Sequence, residues 1–158
     1  MTTIGATTRA DAETVAVRSQ ALGDIEVPAA DAIHFSEPIP GFADCVRYAL
    51  VPHVRADGAA DGGVMWLQAI DPPYHAFIVT DPWSVVADYA PEIPDADAGQ
   101  LRLRSFEDAS VLVILTVPRE GDVTVNLRAP IVFNTVERLA KQVVLLSDQY
   151  GTRHALNG

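Results

Sequence analysis

The groups in this chain that are able to do chemistry are few, and their spacing suits none of the common reactions. Cys45 is the only thiol, and a reactive thiolate needs an adjacent cation or a helix N-terminus. Neither is evident nearby, so a buried, inert thiol is expected. His34, His53, His75 and His154 show no His-x-x-x-His spacing, and no cysteine pair joins them, which argues against a zinc site. Asp95-x-Asp97-x-Gly99 has the opening of a calcium loop, but Phe106 stands where the bidentate glutamate belongs, so the segment reads as a helix start. Asp57 with Asp61, and Glu107 with Asp108, lie in polar stretches, whereas a general acid requires burial. Nucleophile elbows, glycine-rich phosphate loops and dinucleotide fingerprints are absent from the sequence. The expectation is a chain with no catalytic, cofactor-binding or metal-binding residue.

Charge narrows the class further. The 158 residues carry 21 acidic against 11 basic side chains, a net charge of −10, and Lys141 is the sole lysine. Such a surface repels a phosphate backbone, so direct nucleic-acid binding is not expected. It suits a basic protein partner, whose encounter opposite charge would accelerate. No apolar run approaches the roughly 20 residues needed to span a bilayer, and the first residues lack the pattern of a secretory signal. With one cysteine, the reading is a cytoplasmic protein.

The elements that must hold the polar residues are short and mostly strands. Val111-Leu112-Val113-Ile114-Leu115-Thr116-Val117, ended by Pro118, reads as a strand buried on both faces. Val123-Thr124-Val125-Asn126-Leu127 alternates as its hairpin partner. Ala129-Pro130 interrupts the ladder before Ile131-Val132-Phe133 resumes, which predicts a bulge or sheet-switching corner bracketed by Asn126 and Asn134. Upstream strands are expected at 14–19, at 22–27 with a Gly23-Asp24 turn, at 33–35, 46–51, 64–70 and 75–80, and a last one at 141–146. A loop is expected over 52–63, a stiff turn at 71–74 in which Asp71 holds a backbone amide, and a connector with an edge strand over 88–94. One helix is predicted at about residues 95–103, with Asp95 as N-cap and arginines near its end. Lys141 reads as an edge charge, residues 147–154 as a polar tail, and Trp66, Tyr74, Trp83 and Tyr89 as aromatics clustered about the central hairpin. Residues 1–13 are read as a disordered tail and 14–158 as one domain. Roughly eight to ten strands and one helix make an all-β class, a small antiparallel β-barrel-like domain.

These motifs together resemble a known family. Ile39-Pro40-Gly41-Phe42, Trp66-Leu67-Gln68, Phe77-Ile78-Val79-Thr80-Asp81-Pro82, Asp88-Tyr89, Thr116-Val117-Pro118, the run from Asn126 to Asn134, Lys141-Gln142 and Tyr150-Gly151-Thr152-Arg153-His154 stand in the order and spacing of the flagellar assembly factor FliW. The resemblance implies a non-enzymatic, cytoplasmic β-barrel, monomeric when free, that binds the translational repressor CsrA and lifts its repression of flagellin mRNA. It also implies binding of flagellin, which competes for the protein and so couples flagellin export to synthesis. The alternative is a flagellin-binding chaperone without CsrA antagonism. The residues expected to contact partners are Ile39, Pro40, Phe42, Asp71, Asp81, Asp88, Tyr89, Asn126, Asn134 and Arg153. For Asp81 and Asn134, substitution by alanine is expected to weaken CsrA binding with the melting temperature nearly unchanged.

Overall fold

The apolar run that ends at Pro118 forms strand β7, and the sheet closes on it. The computed structural model describes residues 13–54 and 60–156. Its strands are β1 (Thr14–Ser19), β2 (Gly23–Pro28), β3 (Ile33–Phe35), β4 (Arg47–Val54), β5 (Ala60–Ala69), β6 (Ala76–Thr80), β7 (Ala109–Thr116), β8 (Thr124–Val125), β9 (Ile131–Asn134), β10 (Leu139–Gln142) and β11 (His154–Ala155). Neighbours run β11-β8-β7-β6-β5-β4-β3-β10-β9, and β9 pairs back onto β7. The result is a closed seven-stranded barrel, as expected for the class. Every pairing in it is antiparallel except β10 with β3. The β1–β2 hairpin forms a separate sheet.

Strand periodicity then sorts side chains to two faces. Ile33, Tyr48, Leu67, Val79, Leu112, Ile131 and Ala140, one from each barrel strand, pack into a single interior cluster. Val111, Val113 and Val132 point the other way and are buried with Tyr89, Leu101 and Leu127 in a second cluster. β7 is therefore buried on both faces over Val111–Val113, whereas Ile114 and Leu115 are half-buried and Thr116 and Val117 exposed, so the double burial expected for the whole apolar run holds only in its first half. Ala49 and Ile70 form a third cluster with Val17 and Val27 of the outer hairpin.

The corner at 126–130 is the feature that allows closure. β8 meets β7 at Leu115 and Thr116, and β9 meets the same edge at Ala109, Ser110, Val111 and Leu112. The chain thus continues along one edge of β7 with extra residues looped out between, as Ala129-Pro130 predicts. Asn126 shapes the loop by accepting from the amides of Arg128 (3.2 Å) and Ala129 (3.0 Å) through Oδ1. Asn134 repeats the device at the β9–β10 turn, its Oδ1 accepting from Val136 N (2.9 Å) and Glu137 N (3.1 Å). Its Nδ2 also donates to the carbonyls of Leu101 (2.8 Å) and Arg102 (3.2 Å).

Those two carbonyls end the helix, α1 (Asp95–Gln100), which is shorter than expected. Arg102 takes the left-handed conformation at φ 56°, and the amides of Arg102 and Leu103 turn back to Gly99 O and Ala98 O, a Schellman closure without its usual glycine. Pro94, not Asp95, is the N-cap, with no side-chain cap.

Other boundaries move for local reasons. The first turn lies at Gln20, Ala21 and Leu22, because Ser19 Oγ accepts from the amides of Ala21 (3.1 Å) and Leu22 (2.8 Å); Gly23 and Asp24 already pair in β2. β4 and β5 extend into the expected loop, since a register shift between Pro52 and Val54 accommodates a residue lacking a ladder donor. Residues 88–94 contain no strand. The expected last strand begins earlier, as β10, and the expected polar tail supplies β11, paired to β8. Glu13, assigned to the tail, accepts from Ala29 N through its carbonyl (3.0 Å); residues 1–12 and the centre of the 52–63 loop lie outside the described residues.

Asn134→Ala removes partners from buried backbone groups and is expected to cost about 2–3 kcal/mol. Urea denaturation checks this, and a loss below about 0.5 kcal/mol would show that the corner holds without the side chain.

Candidate functional site

The ten residues expected to contact partners occupy different regions of the barrel. Ile39, Pro40 and Phe42 lie between β3 and β4. Ile39 is buried in the interior cluster, Pro40 is exposed, and Phe42 is about one-third exposed while resting on His75 (ring centroids 4.3 Å apart) and Phe77 (4.9 Å). The loop therefore packs on the β5–β6 turn. Asp71, in that turn, does not hold a backbone amide. It accepts from Arg47 Nε (3.0 Å) and Nη2 (2.6 Å) in a bidentate pair, and the guanidinium keeps its carboxyl below the usual range.

Asp88, Tyr89, Asn126 and Arg153 belong to a second region. Tyr89 is buried, donates its hydroxyl to Leu127 O (2.6 Å), and packs edge-on against Tyr150 (4.7 Å). Burial, followed by Tyr150, raises its phenol pKa. Tyr150 in turn accepts from Ala90 N (2.9 Å), and Gly151 O accepts from Leu127 N (3.1 Å). Asp88 and Arg153 are exposed and Asn126 is half-buried. Asp81 is exposed and caps the short turn Pro82–Ser84 through the amide of Trp83 (2.9 Å). Asn134 is internal, with its hydrogen-bonding capacity directed to the protein's own backbone. The exposed members are thus Pro40, Phe42, Asp81, Asp88 and Arg153; buried Ile39 adjoins Pro40, buried Tyr89 adjoins Asp88, and Asn134 holds the β9–β10 turn and the end of α1.

The aromatics do not form one cluster. Trp83 donates to Tyr89 O (2.8 Å) in the outer cluster, Tyr74 packs beneath the β1–β2 hairpin, and Trp66 stacks near His53 (5.7 Å).

Lys141 is the residue whose role differs most from expectation. Its side chain is 13% exposed, and its ammonium donates to Asp97, to Gln100 Oε1 (2.8 Å) and to Glu37 Oε2 (3.2 Å). One lysine thereby joins β10, α1 and the segment after β3, and these carboxylates raise its pKa. Its isolation among acidic residues was the available signal; nothing local to Lys141 names Asp97 or Glu37.

Cys45 and one ring nitrogen of His75 are held by neighbouring groups, while His75 Nδ1 is buried without a hydrogen-bond partner. Cys45 is buried, with its Sγ 3.4 Å from the carbonyls of Asp71 and Pro72, and burial, followed by Asp71, raises its pKa. His75 Nε2 and Tyr48 Oη lie 2.8 Å apart in the core, where burial lowers the imidazole pKa. Among the described residues, no group of three His, Cys, Asp or Glu side chains is placed to hold a metal ion. No helix there is long and apolar enough to cross a membrane.

The Arg47–Asp71 pair predicts a pH signature. A depressed folded-state carboxyl stabilises the fold above its unfolded pKa, about 3.9, and loses that contribution as pH falls through the folded value. Arg47→Met is expected to cost about 1 kcal/mol or less at pH 7, with the deficit closing toward pH 3. Urea midpoints at both pH values test this; an equal deficit at both would mean that Arg47 contributes packing and not charge.

Comparison with other proteins accounts for this arrangement of a closed barrel and structural polar corners. The FliW protein family matches residues 16–156. The flagellar assembly factor FliW of Pseudothermotoga lettingae is 36% identical over 135 residues, covering 84% of this chain and 83% of that protein. Its counterpart in an Exiguobacterium species is 38% identical over 144 residues, covering 90% and 94%. A crystal structure of the flagellar assembly factor FliW superposes with a TM-score of 0.76 at 33% identity, covering 91% of this chain and 96% of the other. Sequence and architecture agree across nearly the whole barrel, and the chain belongs to the FliW family of flagellar assembly factors.

Proposed function

We propose that this chain is a partner-switching regulator of flagellin synthesis. It binds the repressor CsrA and antagonises its silencing of flagellin mRNA. It also binds flagellin, whose export frees the protein to act on CsrA. Family membership over residues 16–156 is the observation that carries this reading. The net charge of −10 supports it, because an RNA-binding repressor must present basic surface while this chain would repel RNA itself. So does the use of buried polar groups for turns and caps, which fits action by association, with no bond made or broken. In this reading the protein acts in the cytoplasm and is a monomer when free.

The switch requires that CsrA and flagellin bind antagonistically, since a ligand shifts an equilibrium only through differential affinity. Near-complete reversal of CsrA from bound to free message requires coupling on the order of 5 kcal/mol. Among the residues singled out from the sequence, Asp81 is the most direct probe: it is exposed and its capping role is confined to one turn.

In a three-way competition with purified CsrA, flagellin mRNA and flagellin, the chain is expected to release CsrA from the message, and added flagellin to restore repression. Asp81→Ala should weaken CsrA capture with a stability loss of no more than about 1 kcal/mol. Flagellin binding without any effect on CsrA would leave the narrower role of a flagellin-binding chaperone. Association with neither protein at micromolar concentration would end both readings.

A further inference from the structure

Beyond Gln142, where β10 ends, residues 143–145 run on outside any strand before the chain bends at Leu146, and this segment pairs on one side only. The amides of Val143 and Leu145 donate to Pro130 O and Arg128 O, both at 2.8 Å, whereas the intervening amides of Val144 and Leu146 meet no acceptor among the described residues. Side chains follow the same period: Val143 and Leu145 are buried, Val144 is 61% exposed and Leu146 86%. The open side is the one that β3 covers alongside β10; β3 ends at Phe35, and beyond it Glu37, Pro38 and Pro40 lie near Val144 without a backbone hydrogen bond to it.

Two depressions flank this edge. Val144 borders one of about 290 Å³ with Pro38 and Pro40, and Leu146 borders one of about 310 Å³ with Ile93 and Pro94. Exposed strand edges are ordinarily blunted by lysine, proline or a bulge; here Pro38, Pro40 and Lys141 line the depression beside Val144, yet the Val144 and Leu146 amides meet no acceptor among the described residues and their aliphatic side chains are bare. Its rim is acidic. Glu37 and Asp97 line the first depression and Glu92 and Asp95 the second, while the sole ammonium present, that of Lys141, is already held by Asp97 and Glu37.

We propose that residues 143–146 form a strand-addition site for an extended segment of a basic partner protein. Apolar side chains of that segment would alternate with lysine or arginine. Main-chain hydrogen bonds to Val144 and Leu146 would supply affinity, and the flanking depressions and carboxylates would supply selectivity. A second copy of this chain is disfavoured as occupant, because two such edges would bring the same carboxylates together. The proposal rests on the partner-binding reading for its biological use, not for its geometry.

The test titrates the isotope-labelled full chain with an acetylated peptide of about nine residues alternating valine and lysine, long enough for one short strand. Shifts and slowed exchange at the Val144 and Leu146 amides are expected. Val144→Pro, which removes a donor that bonds nothing internally, and Leu146→Asp should each weaken binding by about tenfold or more with unchanged melting temperatures. No response at these amides, or affinity in both variants unchanged from that of the parent chain, overturns the proposal. Dimerisation in sedimentation that Val144→Pro abolishes also overturns it, assigning the edge to a second copy. If the peptide docks but neither CsrA nor flagellin binds, the regulatory reading fails and the edge stands; if both proteins bind and the peptide does not, the edge proposal fails alone.

Discussion

Closure of the sheet onto β7 is the constraint to which the remaining architecture answers. An open sheet leaves two rows of backbone groups unpaired, and a barrel removes both by pairing the ends. Here the closing strand must meet β6 on one edge and β8 followed by β9 on the other. The second edge is shared only because the chain loops out between Asn126 and Pro130, held by the Asn126 side chain. Burial of Leu112 inside and of Val111 and Val113 outside then makes β7 the wall between two hydrophobic clusters.

Closure explains where the buried polar residues went. Buried asparagine, tyrosine and serine side chains serve backbone groups that the barrel's corners leave without ladder partners. Asn134 ties the β9–β10 turn to the end of α1, and Tyr89 ties the 88–90 segment to Leu127. Such residues face inward. The residues left exposed around them include Pro40, Phe42, Asp81, Asp88 and Arg153.

Lys141 joins separate elements. A single cation between Asp97 and Glu37 draws α1 and the segment after β3 toward β10. It thereby shapes the depression bordered by Val144. Partly buried and held by several acceptors, it is better placed to order that region than an exposed pair would be.

Residue type and spacing alone determined the all-β class, the strand before Pro118, the hairpin at 14–27, the corner at 126–130 and the membership motifs. Each depends on local rules: β-branched runs, proline's missing donor, asparagine's reach to nearby amides. Tertiary structure decided what depends on distant neighbours. Periodicity cannot show that Asp71 meets Arg47, that Lys141 is enclosed by Asp97 and Glu37, or that Asn134 caps a helix more than thirty residues upstream. Nor could it divide Val143-Val144-Leu145-Leu146, where all four side chains are aliphatic, into buried and exposed members. That division arises because the face carrying Val143 and Leu145 packs into the cluster of Tyr89, Leu101 and Leu127, while the opposite face leaves Val144 and Leu146 exposed.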